Sequence, residues 1–147
     1  MKQFKCENQQ LAGFLEVLDK TIVNKGKVKR GKAKLFKALL KKQHEFEDDA
    51  RCIHADYFEV ERDRVVFDEK GRPITLDGVG REELAEHSEL ILELDKEEAV
   101  IDLVEHETKI KAFFNALKCD DFESAEGFND IAFDTLYDKI ENLYKGE

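Results

Sequence analysis

The residue types that most often carry chemistry do not fall into a catalytic or metal-binding spacing in this sequence. The four histidines are His44, His54, His87 and His106. His106-Glu107 is not followed by a second His four residues later, so the helical zinc-protease pattern is absent. Cys52 and His54 would point about 200° apart on a helix, which disfavours joint ligation of a metal. We therefore predict no catalytic site, no metal site and no cofactor.

Loops that cradle phosphates or nucleotides are also missing. Gly26-Lys27 lacks the preceding glycine and strand of a phosphate-binding loop, and Gly78-Val79-Gly80 lacks the rest of a dinucleotide fingerprint. The three cysteines are an odd number and widely spaced, which is typical of reduced thiols in a cytosolic protein. The sequence has neither a signal-peptide pattern nor an apolar run of about 20 residues. We expect a cytoplasmic protein that has no membrane contact and is not an enzyme.

Binding by charge is the chemistry that the sequence does support. Residues 1–43 carry twelve Lys or Arg against three Asp or Glu, a net charge of +9, whereas residues 44–147 carry a net charge of −19. The positive charge concentrates in residues 25–42, the basic segment, and its candidate interaction residues are Lys25, Lys27, Lys29, Arg30, Lys32 and Lys34. Such a cluster can neutralise phosphates. Alternatively, an acidic part of the same chain lies against it, or it is a solvated turn.

Hydrophobic spacing predicts the elements that position these charges. The chain of 147 residues has the length of a single domain, and one Pro with eight Gly favours long helices. Residues 2–7 alternate like a strand, and residues 9–23 form an amphipathic helix. A second helix is predicted from Gly31 or Lys32 to about residue 60. Its apolar residues alternate at spacings of three and four, which is typical of a helix that packs against another helix. The short connection favours an antiparallel hairpin of residues 9–60 with the basic segment at its exposed end.

The second part of the chain predicts a β insertion followed by helices. Residues 64–77 read as two short strands around a Gly-containing turn, and residues 81–94 fit a helix nearly as well as a short strand. A capping-box pattern at Asp95 and Glu98 predicts a long helix to about Lys118, and Asn129 caps a last helix within residues 95–147. The predicted fold class is mainly α: about four helices, including an N-terminal antiparallel helical hairpin, with a small β-hairpin insertion near the middle.

Four stretches together carry a resemblance to a known family. They are Asn8-Gln9-Gln10-Leu11 after the opening strand, the Lys-rich turn before Ala33–Leu40, the turn at Glu69–Pro73, and Leu94–Leu103. In these stretches the chain resembles a family of small uncharacterised proteins encoded by phages and prophages of Gram-positive bacteria. The resemblance implies phage origin and synthesis in the host cytoplasm, and it brings no active site with it.

These observations favour two classes of function. The first is a non-enzymatic phage or prophage protein that acts through protein–protein interaction in virion assembly or regulation, its partner being a second copy in a homodimer, a virion protein or a host protein. The second is a counter-defence inhibitor, anti-CRISPR-like, whose acidic surface competes with nucleic acid for the basic cleft of a host nuclease. Nucleic-acid binding through the basic segment is a third interpretation.

Overall fold

The computed structural model describes residues 2–145. This part of the chain contains five α-helices and six short strands. This composition confirms a mainly helical fold with small antiparallel sheets, and it has one helix more than predicted. Contacts divide the chain into two units, the first containing the residues up to Gln43 and those from Glu98 on, and the second containing His44–Glu97. The assignment of residues 1–147 to a single domain stays a prediction.

The first unit is built on a two-stranded antiparallel sheet. Strand β1 (Gln3–Glu7) pairs with β5 (Glu98–Asp102), with Gln3 opposite Asp102 and Glu7 opposite Glu98. Phe4 and Cys6 alternate with more exposed neighbours and point into the core, as a half-buried strand requires. The predicted opening strand is confirmed.

The long helix predicted for residues 95–118 is wrong over its first half. Residues 98–102 are β5, and helix α4 begins at Glu107 and ends at Lys118 after a short 3-10 turn. Ala99 and Ile101 are buried between more exposed neighbours, a period of two, and this alternation matches the inward residues of β1. The supposed capping box fails because Asp95 belongs to the end of the preceding helix.

The two predicted N-terminal helices are present with different bounds. Helix α1 (Leu11–Asp19) is shorter than predicted because the chain enters strand β2 (Thr21–Ile22), which pairs with β6 (Glu123–Ser124). Helix α2 (Gly26–Ala55) starts about one and a half turns earlier than predicted and ends sooner. The helical hairpin is therefore only roughly as predicted, and the basic segment is not a turn but mainly the first half of α2.

Helix α2 approaches α4 very closely in the first unit. A Cβ atom at the buried Gly31 would overlap the backbone carbonyl of Lys109 and lie 3.0 Å from Cβ of Phe113. Above and below this contact, Val28, Leu35 and Leu39 join the core. Glycine at this position thus lets the two backbones pack without a side chain between them.

Helix α5 (Asp130–Leu143) completes the first unit. The Asn129 side chain accepts hydrogen bonds from the backbone N–H groups of Ile131 and Ala132, at 3.1 Å each, which confirms the predicted N-cap. Leu136 and Ile140 are fully buried in the core.

The second unit joins the end of α2 to short β segments and helix α3 (Arg81–Lys96). Strands β3 (Val60–Glu61) and β4 (Arg64–Val65) form a hairpin whose two turn residues, Arg62 and Asp63, both have positive φ. The chain then turns again, and residues 73–76 return beside this hairpin. The N–H of Ile74 donates to the carbonyl of Val66 at 2.9 Å. A β insertion is therefore present, and residues 81–94 follow the helical alternative.

Candidate interaction surfaces

One exposed face of α2 carries a row of five cations, here called the basic face. Its members are Lys27, Arg30, Lys34, Lys37 and Lys41. Their alternating spacing of three and four residues confines them to about 80° of the helix circumference, about 120° from the buried residues, along about 21 Å of axis. Lys34 is half-buried and the other four are exposed. Among residues 2–145, none of the five has an ion-pair or side-chain hydrogen-bond partner.

The six predicted interaction residues divide into two groups. Lys27, Arg30 and Lys34 lie on the basic face. Lys25 precedes the helix and pairs with Asp121 at 3.4 Å, while the Lys32 ammonium donates to the backbone carbonyl of Thr21 at 2.7 Å. Lys29 is exposed on another side of α2 and lines a groove. The prediction missed Lys37 and Lys41 as members of the row, although their three- and four-residue spacing was visible in the sequence.

A groove with an apolar floor runs beside the basic face in the first unit. It has a volume of about 410 Å³, and its apolar lining comes from Ile22, Val23, Ala33 and Phe36. Ile22 is 41% exposed, so this floor is open to solvent. Lys37 belongs to both the groove and the basic face, so an apolar group and a row of anions could occupy the two together.

Helix α3 in the second unit carries the opposite charge on one face, here called the acidic face. Its members are Glu82, Glu86, Glu89 and Glu93. Their spacing of four, three and four residues confines them to about 60° of the helix circumference. All four are exposed, and of these Glu86 accepts a hydrogen bond from the Tyr57 hydroxyl at 2.5 Å. The sequence alone does not define this face, because residues 81–94 fit a helix nearly as well as a short strand.

A pair of histidines joins α3 to the end of α2 within the second unit. Nδ1 of His54 lies 2.9 Å from Nε2 of His87, so one ring donates an N–H to the other. The ring of Phe58 meets that of His87 edge to face at 4.9 Å. Burial, and secondarily the neighbouring His54, lower the pKa of His87. The hydrogen bond from Tyr57 to Glu86 raises the pKa of that tyrosine to about 12. Both shifts favour the neutral form of the group, the uncharged imidazole of His87 and the protonated phenol of Tyr57.

Burial raises the pKa of the Cys6 thiol to about 11, so the reactive thiolate is scarce at neutral pH. Within the part of the chain that the structure describes, no three His, Cys, Asp or Glu side chains come together as a metal-binding group. Over the same range, none of the helices combines the length and apolar content that crossing a membrane requires.

Comparison with known proteins assigns the chain to a family. A family model described as "protein of unknown function (DUF1617)" matches residues 2–147. The chain belongs to this family. No curated protein matches the sequence, and no solved structure does.

Membership of the DUF1617 family covers both units, since the match includes the basic face of α2 and the acidic face of α3 alike. The expected resemblance to an uncharacterised family is thereby confirmed. The phage origin that the resemblance implied stays a prediction.

Proposed function

We propose that this chain is a non-enzymatic phage or prophage protein, and that it acts in virion assembly or regulation by protein–protein contact through the basic face of α2. The observation that carries the proposal is five cations on one exposed helical face, without partners among residues 2–145. Charges arranged in this way orient an acidic partner and speed its encounter. The groove beside the face offers such a partner an apolar contact as well.

The absence of a catalytic step is supported by the chemistry of the described side chains. The groups with shifted pKa values are the buried Cys6 thiol, Tyr137, and the neighbouring Tyr57 and His87, and each of these shifts favours the neutral form. A general acid or base needs a pKa near the working pH and a substrate within hydrogen-bond reach. A binding protein needs neither.

Affinity capture with matched variants tests this proposal. Tagged wild-type chain, the charge-reversed variant Lys34→Glu/Lys37→Glu and the control Lys70→Glu would be expressed in cells carrying the phage. Lys70 is exposed and lies outside the basic face. We expect the wild type and the control to retain the same protein partner at low salt and the double variant to lose it. Retention of the same proteins by the double variant would contradict the proposal.

The position of the gene tests the phage origin separately. We expect it to lie in a block of virion, packaging or early phage genes. A neighbourhood free of phage genes would refute this part of the proposal and leave the binding mode standing.

Nucleic-acid binding by the basic face is a second candidate, favoured by the regular axial spacing of its cations. If five phosphates are neutralised, affinity for duplex DNA should fall about 500-fold between about 50 and 200 mM salt. A gel shift with short duplexes measures this slope, and Lys34→Glu/Lys37→Glu should abolish the shift. No shift even at the lowest salt would remove this candidate.

A further inference from the structure

The acidic face of α3 has the same spacing as four members of the basic face of α2. Arg30, Lys34, Lys37 and Lys41 are separated by four, three and four residues, as are the four glutamates of the acidic face. Both rows therefore span about 16.5 Å, with steps of about 6, 4.5 and 6 Å. Because this order reads the same in both directions, the rows match rung for rung whether the helices run parallel or antiparallel.

The two faces remain unpaired within residues 2–145. Neither row makes an ion pair with any described residue, and the one side-chain hydrogen bond that either row forms with these residues is the one that Glu86 accepts from Tyr57. Like charges three and four residues apart repel along a helix. The like-charged side chains within each face therefore repel one another, and a facing row of opposite charge would relieve this repulsion.

An apolar side chain beside the acidic face selects the orientation. Leu92 is 51% exposed and lies about 90° round α3 from the glutamates. The groove lined by Ala33 and Phe36 flanks the basic face of α2 in the same rotational sense. When two helices face each other antiparallel, features of the same rotational sense fall on the same side, whereas a parallel arrangement separates them. In the antiparallel register Leu92 stands opposite position 31, about 3 Å along the axis from Ala33 and about 7.5 Å from Phe36.

We propose that the basic face of α2 binds the acidic face of α3 of a second copy of this chain, antiparallel, with Leu92 seated in the groove. The rungs are Arg30 with Glu93, Lys34 with Glu89, Lys37 with Glu86, and Lys41 with Glu82. This inference rests on the proposed function and names the partner of the same face. Ion pairs between exposed side chains are individually weak and screened by salt, so the association depends on ionic strength.

Sedimentation velocity of the purified full chain tests the association. Over a dilution series at about 50 mM salt, we expect a concentration-dependent oligomer, and about tenfold weaker association at about 500 mM salt. Lys34→Glu and Glu89→Lys alone should each weaken association about tenfold, since each turns one rung into a repulsion. Leu92→Ala should weaken it at both salt concentrations. Circular dichroism checks that every variant is folded.

The charge-swapped double variant is the decisive sample. Lys34→Glu/Glu89→Lys restores opposite charges on that rung in the antiparallel register, so association should return to within about threefold of wild type. In the parallel register Lys34 would face Glu86, and the swap would restore nothing. The matched control is Lys70→Glu/Glu126→Lys, which changes exposed charges away from both faces and should leave association unchanged.

Several results would overturn the inference. A monomer at every concentration at low salt would do so, and so would an oligomer that none of the face variants affects. If the chain stays monomeric but shifts DNA through the basic face, the partner of that face is nucleic acid and not a second copy. If the chain is monomeric yet still captures a different protein in a manner that depends on Lys34 and Lys37, the self-association is wrong and the proposed function stands.

Discussion

The contact between α2 and α4 can be tested by adding one methyl group. In Gly31→Ala, the new Cβ would overlap the backbone carbonyl of Lys109 and crowd Phe113. The carbonyl belongs to the backbone of α4, so it cannot rotate away as a flexible side chain could. Relief requires the two helices to move apart, which loosens the core contacts of Leu35 on the same face.

The size of the effect follows from two opposing contributions. Overpacking a well-filled core costs about 1–3 kcal/mol, and we expect the upper end because the obstacle is backbone. Replacing Gly by Ala inside a helix returns about 0.5–1 kcal/mol. The net expectation is a loss of about 2 kcal/mol in the free energy of unfolding, or about 4–8 °C in Tm for a chain of this length.

Gly13→Ala in α1 is the matched control, because a Cβ there meets nothing within 4 Å. The same chemical change should therefore stabilise the chain by about 0.5–1 kcal/mol. Urea and thermal unfolding followed by far-UV circular dichroism measure both variants against wild type. If Gly31→Ala proves as stable as wild type while Gly13→Ala gains stability, the close approach of the two helices is refuted.

Three further outcomes are expected. Asn129→Ala should lower the free energy of unfolding by about 1 kcal/mol in urea titrations, because two N–H groups of α5 lose their acceptor; an unchanged midpoint would refute the cap. Because the pKa of His87 is lowered in the folded chain, that chain binds fewer protons than the unfolded chain just below the ordinary value of about 6.5, so stability should fall as pH drops through this window. His87→Phe should flatten that pH dependence in urea midpoints, and an equally steep dependence would contradict the assignment. If the chain acts by counter-defence, adding it to phage-targeting nucleases should inhibit cleavage and Glu89→Lys/Glu93→Lys should not; no inhibition by wild type would count against that function.

Local patterns predicted those elements whose signal in the sequence is clear over a few residues. The alternation at Phe4 and Cys6 and the Asn129 cap are complete within a few residues, and both are confirmed. The helical alternative for residues 81–94 was available but could not be separated from a short strand. What decided it is a set of contacts to the end of α2, such as the one between His54 and His87, which no local pattern shows.

The two largest errors have causes that are distant in sequence. Strand β5 was assigned to a helix because its apolar residues also fit a helical period, and its strand partner lies about 95 residues earlier. The start of α2 was placed too late, at Gly31 or Lys32, whereas the helix begins at Gly26. Gly31 is the point at which α4 approaches, a tertiary reason that outweighs its weak helix propensity.

The candidate surface depended on the same boundary. With α2 starting near residue 31, the cations before it were scattered over a turn; with α2 starting at Gly26, Lys27 and Arg30 fall into one row with Lys34, Lys37 and Lys41. The charge and its concentration were readable from the sequence, but the geometry of the face was not.

The basic face is costly to the isolated chain, and this cost bears on the choice of partner. Its four neighbouring like-charge pairs together disfavour the helix by about 1–2 kcal/mol, and cations near the helix N-terminus oppose the macrodipole as well. Any anion would relieve this repulsion at close range. A long polyanion, however, must also approach a chain whose net charge is −10, because residues 44–147 carry −19. Screening limits the repulsion to negative charges within about 8–10 Å of the partner. A short acidic partner therefore meets fewer repelling charges of the chain than a continuous nucleic-acid backbone does. A four-rung acidic helix matches the face in length and spacing, which favours the acidic face of a second copy over nucleic acid.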